Sequence, residues 1–282
     1  MITIIDSGST KADWIFTNGR STNALTTVGI NPNFVNEEDA FRIINDDVVK
    51  FIPATAIQKI YFFGSGCSSV EQKKIISNAL TRLFKNAEIK VEHDITGAVL
   101  ATCGNDEGIA CIIGTGSNSV YYDGKRIHEN NYGLGFILAD EGAGTYLGKK
   151  LITQYLYQLL PKKLSDAFSE KYNLSRNDVI TNVYNNPTAN AWLGSFAQFF
   201  EIHKEEPWIR STIKNGFKEF VDLYVKNYSR YKEVPVHFVG SIAFLNSRLL
   251  NEVAAENNFK IGKIIQKPIE GLTDYFIKQN FK

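Results

Sequence analysis

The chain has 282 residues, 44% hydrophobic and 22% charged, with a formal net charge of +1. That length holds two domains and a sizeable core, and the composition is that of an ordinary folded protein. Near-neutrality gives no electrostatic reason for a nucleic-acid or anionic-membrane partner, no apolar run reaches membrane-spanning length, and no basic-then-apolar export pattern opens the chain, so a cytoplasmic protein is expected.

The apolar run 2–5 predicts a strand, and 13–17 a second one. Between them lies Asp6-Ser-Gly-Ser-Thr-Lys11. An acid at a strand end followed by a small-residue turn has the chemistry of a phosphate cradle. Gly8 lets an anion approach the backbone, successive N–H groups can form an anion-binding concavity, and Ser9, Thr10 and Lys11 add donors. Asp6 is a hard oxygen ligand suited to Mg²⁺. An ordinary hairpin with a polar turn has the same pattern.

A third strand is predicted over 24–30, ending in the loop signal Gly29-Ile30-Asn31-Pro32-Asn33. Apolar residues at 40, 41, 44, 48 and 51 predict one helix over 37–51. A buried strand over 57–63 ends at Gly64-Ser65-Gly66, a helix follows over 71–84, a brief strand over 90–94 and a small-residue helix over 95–103. Asp94 closes the brief strand, where an Asp also serves as a helix cap.

The pattern then restarts: a strand over 108–113, the turn Gly114-Thr-Gly-Ser-Asn118, and segments 119–122 and 125–128 around the hairpin signal Asp123-Gly124. A strand, a Gly/Ser/Thr turn and a hairpin thus occur twice, as a duplicated mixed α/β domain would show. A glycine-rich stretch with Asp140-Glu-Gly142 leads to a helix over 145–160, stopped by Pro161. Most of 161–231 is helical, with Ser175 and Asp178 as a capping box. Strands over 235–239 and 261–265 flank a helix over 244–256, and a terminal helix spans 271–279. Of the three cysteines, Cys67, Cys103 and Cys111, all read as free thiols of a reducing compartment. Cys67, in a Gly/Ser-rich turn, is the one expected to be exposed.

Five motifs in this order resemble the actin-like ATPase superfamily of sugar kinases, actin and heat-shock chaperones: Asp6-Ser-Gly-Ser-Thr-Lys11, His93-Asp94, Gly114-Thr-Gly-Ser-Asn118, Asp140-Glu-Gly142 and Val239-Gly-Ser-Ile242. Within it the chain is similar to the N-acetylglucosamine kinase branch, grouped with the activating ATPases of benzoyl-CoA reductase and hydroxyacyl-CoA dehydratase. The resemblance implies duplicated ribonuclease H-like domains, each a mixed five-stranded sheet flanked by helices, with a cleft between them. The first domain is then 1–110, with a terminal helix at about 270–282 packed back on it. The second is 111–269, with a helical insertion at about 145–230.

The same resemblance implies ATP and Mg²⁺ as cofactors, a small-molecule sugar as substrate and a homodimer. Gly8, Ser9, Thr10, Lys11, Gly114, Thr115 and Gly116 would then bind the phosphates of ATP, and Gly240 and Ser241 the adenosine. Asp6 would hold the metal. Asp94 would be the general base, and Asn33, Ser117, Asn118 and Asp140 would hold the sugar. One departure stands out: the branch carries Gly-Trp-Gly before Asp-Glu-Gly, and here Leu134 takes the aromatic position between Gly133 and Gly135. Two other functions fit the motifs less well. A regulatory ATPase of the activator type would need cysteines placed for an iron–sulfur cluster. A non-catalytic sugar sensor would not need Asp6, Lys11 and Asp94 together.

Overall fold

The computed structural model describes residues 1–128 and 130–281, and the chain divides into two units, Met1–Asn105 with Lys267–Lys282, and Asp106–Gln266. Lys282, the end of the expected terminal segment, lies outside the described residues. In the first unit β1 (Ile2–Ser7), β2 (Lys11–Thr17) and β3 (Thr22–Val28) form an antiparallel meander. After α1 (Glu37–Ile43) come β4 (Lys59–Gly64), α2 (Val70–Leu83), β5 (Glu88–His93) and α3 (Asp94–Thr102). The strands β4 and β5 add parallel to β1, giving the order β3-β2-β1-β4-β5.

Residues 2–5 of β1 are buried without alternation because both faces of the sheet are covered. Trp14, Phe16, Phe62, Ala40, Ile44 and Leu80 fill one side. On the other, α13 (Ile269–Asn280) packs against α3, β1 and β2. Gly271 makes that crossing close: a Cβ there would lie 2.7 Å from the Ala101 carbonyl oxygen.

The second unit repeats the plan. β6 (Gly108–Ile113), β7 (Ser117–Tyr122) and β8 (Ile127–His128) form the meander. Then come α4 (Gly135–Leu138), α5 (Gly144–Leu156), α6 (Lys162–Tyr172), α7 (Arg176–Tyr184), α8 (Ala189–Ser195), α9 (Ala197–Ile202) and α10 (Pro207–Phe220). They precede β9 (Val236–Val239), α11 (Ser241–Leu245), α12 (Ser247–Glu256) and β10 (Ile261–Ile265). The order β10-β9-β6-β7-β8 matches the first sheet strand for strand, so each unit is a mixed five-stranded sheet flanked by helices. An aromatic-rich cluster, including Phe168, Phe196, Phe199, Phe217 and Phe220, joins the helices of α5–α10 to this sheet.

Three local expectations are corrected. The stripe over 37–51 is not one α-helix: α1 ends at Ile43 and a π-helical turn runs Ile44–Val49. Ala40, Ile44, Val48 and Ile52 are all buried at a spacing of four, wider than the 3.6 residues of an α-turn, and a π segment keeps such a stripe on one face. The helix expected to reach 160 ends at Leu156, and Gln158 takes φ +58° before Pro161. Cys67 is buried, not exposed. Burial and the nearby Asp94 charge push its thiol up to about 12, which makes it inert as a nucleophile.

Candidate active site

The turn between β1 and β2 is held from beneath. Gly8 N–H donates to the Lys11 carbonyl at 2.9 Å, and Gly29 N–H to the Thr10 carbonyl at 3.1 Å. The Ile30 N–H donates to Ser7 Oγ at 2.9 Å, and Asn31 Nδ2 to Ser9 Oγ at 2.8 Å. A Cβ on Gly29 would fall 2.3 Å from the Gly8 carbonyl oxygen and 2.8 Å from the Lys11 nitrogen, so the loop after β3 is the floor of the turn. Gly8 differs: a Cβ there would meet only the Lys11 carbonyl oxygen, at 3.6 Å. Among the described residues nothing crowds this position, and the missing side chain leaves the outer face of the backbone open to a ligand.

Gly29→Ala tests the floor. The overlap is with backbone, which cannot swing aside, so a loss of about 3 kcal/mol in stability is expected. Chemical denaturation of the variant measures it.

Asp6 pairs directly with Asp13 across the β1–β2 ladder, which puts their side chains on one face. Asp13 is satisfied: Thr26 Oγ1 donates to Oδ1 at 2.8 Å, and Lys267 Nζ lies 2.8 Å from Oδ2. Asp6 is crowded by like charge. Enclosure of its carboxyl, then the Asp94 and Asp13 charges, push it up to about 7, against the opposing pull of Lys267 and Lys11. An excess of carboxylate around a protein oxygen donor suits a divalent cation. Among the described residues no group of three or more His, Cys, Asp or Glu side chains gathers for a metal. Asp6 therefore fits an Mg²⁺ that takes its remaining ligands from water and phosphate.

Asp94 opens α3, where the unpaired N–H groups and helix dipole favour an anion. Ser65 Oγ donates to its Oδ2 at 2.7 Å, and His93 Nε2 lies 3.2 Å from Oδ1. Ser65 is fixed in turn, since its N–H donates to the Ser7 carbonyl at 2.9 Å. The next residue, Gly66 at φ +81°, abuts Asn31 and Asn33. Gln72, the partner of Ser69 in the α2 capping box, donates to Asn33 Oδ1. One unit thus brings Asp6, Gly8–Lys11, Asn33 and Asp94 around two adjoining turns.

The second unit gathers the remaining residues. Gly114 N–H donates to the Gly116 carbonyl at 3.0 Å, and the Gly144 and Thr145 N–H groups at the start of α5 donate to the carbonyls of Gly114 and Thr115 at 2.8 and 3.0 Å. A Cβ on Gly114 would meet nothing within 4 Å among the described residues, an open face like that at Gly8. Gly240, at φ +121°, lies on this turn: a Cβ there would be 2.4 Å from the Ile113 carbonyl oxygen. The expected phosphate turn and the expected adenosine loop are therefore in contact, with Ser241 beginning α11 beside them.

Asp140 is an unusual residue, a buried aspartate at φ +67°. Its Oδ1 accepts the Ser117 N–H at 2.9 Å and its Oδ2 the Thr145 hydroxyl at 3.2 Å. Burial pushes its carboxyl above the ordinary range, and these two bonds oppose the shift. It braces the 114–117 turn to α5, and each oxygen retains accepting capacity. Ser117 Oγ is buried with no hydrogen-bond partner among the described residues. The Tyr224 hydroxyl lies close enough to interact with it. Asn118 Oδ1 accepts the Ser119 N–H at 2.8 Å, and its amide lies against Gly133. Leu134 is 62% exposed.

Three contributors carried no sequence signal strong enough to nominate them. Ser65 and Gly29 looked like loop residues. Lys267 has no local pattern around it, and only the return of the chain to the first unit places it beside residue 13.

The model of the BadF/BadG/BcrA/BcrD ATPase family matches residues 5–273. A candidate N-acetylglucosamine kinase from Porphyromonas gingivalis is 36% identical, covers 99% of both chains and superposes with a TM-score of 0.93. A second candidate N-acetylglucosamine kinase, from Chromobacterium violaceum, is 14% identical with a TM-score of 0.67, covering 97% of this chain and 98% of its own. A ROK family glucokinase from Streptomyces griseus, solved with glucose and AMPPNP, is 13% identical with a TM-score of 0.52 over 99% of each chain. The last two share the fold. No curated protein sequence matches the chain. Among the described residues no helix is long and apolar enough to cross a membrane. A match over nearly the whole length, on the elements that carry both open turns, makes this chain a member of the BadF/BadG/BcrA/BcrD ATPase family.

Proposed function

We propose that the chain is an ATP-dependent kinase that phosphorylates a hydroxyl of N-acetylglucosamine or a related amino sugar or hexose. The observation that carries this reading is the neighbourhood of Asp6 and Asp94: a lone metal-type carboxylate and a hydrogen-bonded, helix-anchored carboxylate close enough that one charge raises the pKa of the other. A nucleotide binder without chemistry has no use for the second.

In the proposed reaction the Gly8–Lys11 and Gly114–Gly116 turns offer backbone N–H groups, hydroxyls and one ammonium to the phosphates of ATP. Gly240 and Ser241 take the adenosine, and Asp6 holds the metal. Bound there, Mg²⁺ would neutralise charge on the transferring phosphoryl group. Asn33, Ser117, Asn118 and Asp140 position the acceptor. The acceptor oxygen attacks the γ-phosphorus while Asp94 takes the hydroxyl proton. The bond to the β-phosphate bridging oxygen breaks, and ADP leaves. Positioning and charge stabilisation supply most of the acceleration in such a transfer.

The activator-type reading fits less well. Cys67, Cys103 and Cys111 are all buried in their units, whereas a cluster shared between subunits requires surface thiolates.

A coupled ADP-release assay over amino sugars and hexoses tests the proposal. N-acetylated amino sugars are expected to raise ADP release well above the sugar-free rate. If no sugar does so, the kinase reading fails.

A further inference from the structure

We infer that Lys267 is a phosphate-binding residue of the nucleotide site, a second ammonium beside Lys11 that the chain supplies on its return to the first unit. The inference rests on the ATP reading above.

Its placement is specific. Lys267 is the first residue of the returning segment, two positions before α13. It reaches the face of the β1–β2 ladder next to the open Gly8 turn, where Nζ lies 2.8 Å from Asp13 Oδ2. Asp13 stands opposite Asp6 in the ladder, so the ammonium is a close neighbour of the residue assigned to the metal. Thr26 occupies the other oxygen of Asp13. The two Asp13 oxygens are then occupied by Thr26 and Lys267, which leaves Asp6 to the cation.

The ammonium itself is not used up. It has three protons, Asp13 takes one, and the Lys267 side chain is 42% exposed while that of Asp13 is 12% exposed. The remaining Lys267 protons can therefore reach a phosphate oxygen. Charge arithmetic supports the same role. The Asp94 and Asp13 charges push the Asp6 carboxyl up, and Lys267 and Lys11 pull it down. A polyphosphate approaching Asp6 and Asp13 is favoured by both cations.

The test is equilibrium binding of adenosine, MgADP and MgATP to the full chain, by calorimetry or a fluorescent nucleotide, for wild type, Lys267→Met, Lys267→Arg and Asp13→Asn. Lys267→Met is expected to weaken MgATP and MgADP about 10- to 100-fold, the loss of one charge-assisted hydrogen bond. Adenosine binding is expected to be unchanged, and Lys267→Arg to restore most of the phosphate affinity. Asp13→Asn, which breaks the ion pair but keeps the ammonium, is expected to retain nucleotide binding. The inference is overturned if all three ligands weaken in parallel, if none weakens, or if Asp13→Asn reproduces Lys267→Met, the pattern of a structural staple. A wild type that binds adenosine but neither nucleotide would overturn it together with the kinase reading. Nucleotide binding that Lys267→Met leaves intact would overturn the inference alone.

Discussion

Asp94→Asn is expected to lower kcat by roughly 10²- to 10⁴-fold, the usual worth of a positioned general base, with little change in KM for ATP. Asparagine preserves the shape and can still accept the Ser65 hydroxyl bond seen at 2.7 Å, so the helix start survives while the proton acceptor is lost. Thermal melting should match wild type, which separates lost chemistry from lost fold. Ser65→Ala provides the graded companion. It leaves the carboxylate but removes one of its two side-chain contacts among the described residues, the other being His93, 3.2 Å from Oδ1. A hydrogen bond to a charged group contributes about 1.5–3 kcal/mol, and part of that survives through water, so a fall of about tenfold in kcat is expected. Steady-state kinetics with saturating sugar gives both numbers. If Asp94→Asn keeps more than half of wild-type turnover, Asp94 is not the base, and its place at the head of α3 is explained by helix anchoring alone.

The sequence revealed most where the chain's local chemistry and its tertiary role coincide. The isoleucine run of β1 reads as a fully covered strand, and it is one, because helices close both faces of its sheet. The repeated strand–turn–hairpin reads as a duplication, and the two strand orders are identical. Glycine-bearing turns announce themselves by composition. Composition does not say which glycine the fold requires and which leaves room for something else. Gly29 and Gly240 are filled from within by backbone oxygens, whereas Gly8 and Gly114 look outward. That distinction is a matter of packing partners far along the chain. Lys267 illustrates the same limit. Its partner Asp13 is at the other end of the sequence, and no local pattern encodes the pairing. The family resemblance implies a sugar contact at Asp140, and the fold gives it a brace's two bonds and a left-handed backbone as well.

Asp6→Asn is expected to make the protein more stable while removing its metal-dependent activity. The cause is the cost of an ionised Asp6 in this setting. Its carboxyl is pushed up from 3.8 to about 7, first by desolvation and then by the Asp94 and Asp13 charges. The folded state therefore binds a proton more tightly than the unfolded chain does, and stability falls as pH rises from about 4 to about 7. A shift of about three units corresponds to about 4 kcal/mol at most, and residual solvation of the site brings the expected figure to about 2–4 kcal/mol. Asparagine carries no charge at any pH, so the penalty is absent in the variant. Without metal or nucleotide, Asp6→Asn should thus exceed wild type by about 2–4 kcal/mol at pH 8. The difference should shrink toward zero by about pH 3.5, below the unperturbed value of 3.8, where the unfolded chain also carries the proton. Asp140, also shifted upward by burial, is common to both proteins and cancels in the difference. Denaturation curves at the two pH values decide the matter, and adding Mg²⁺ with nucleotide should raise the stability of wild type more than that of the variant. Equal stability at pH 8 would mean that Asp6 is well solvated in the free protein, and the case for a carboxylate strained until a cation arrives would fall with it. Stabilisation without loss of turnover would move the metal to another donor. The expected pairing of higher stability with lost activity is the trade a site makes when its geometry is set for a charge that the protein itself does not contain.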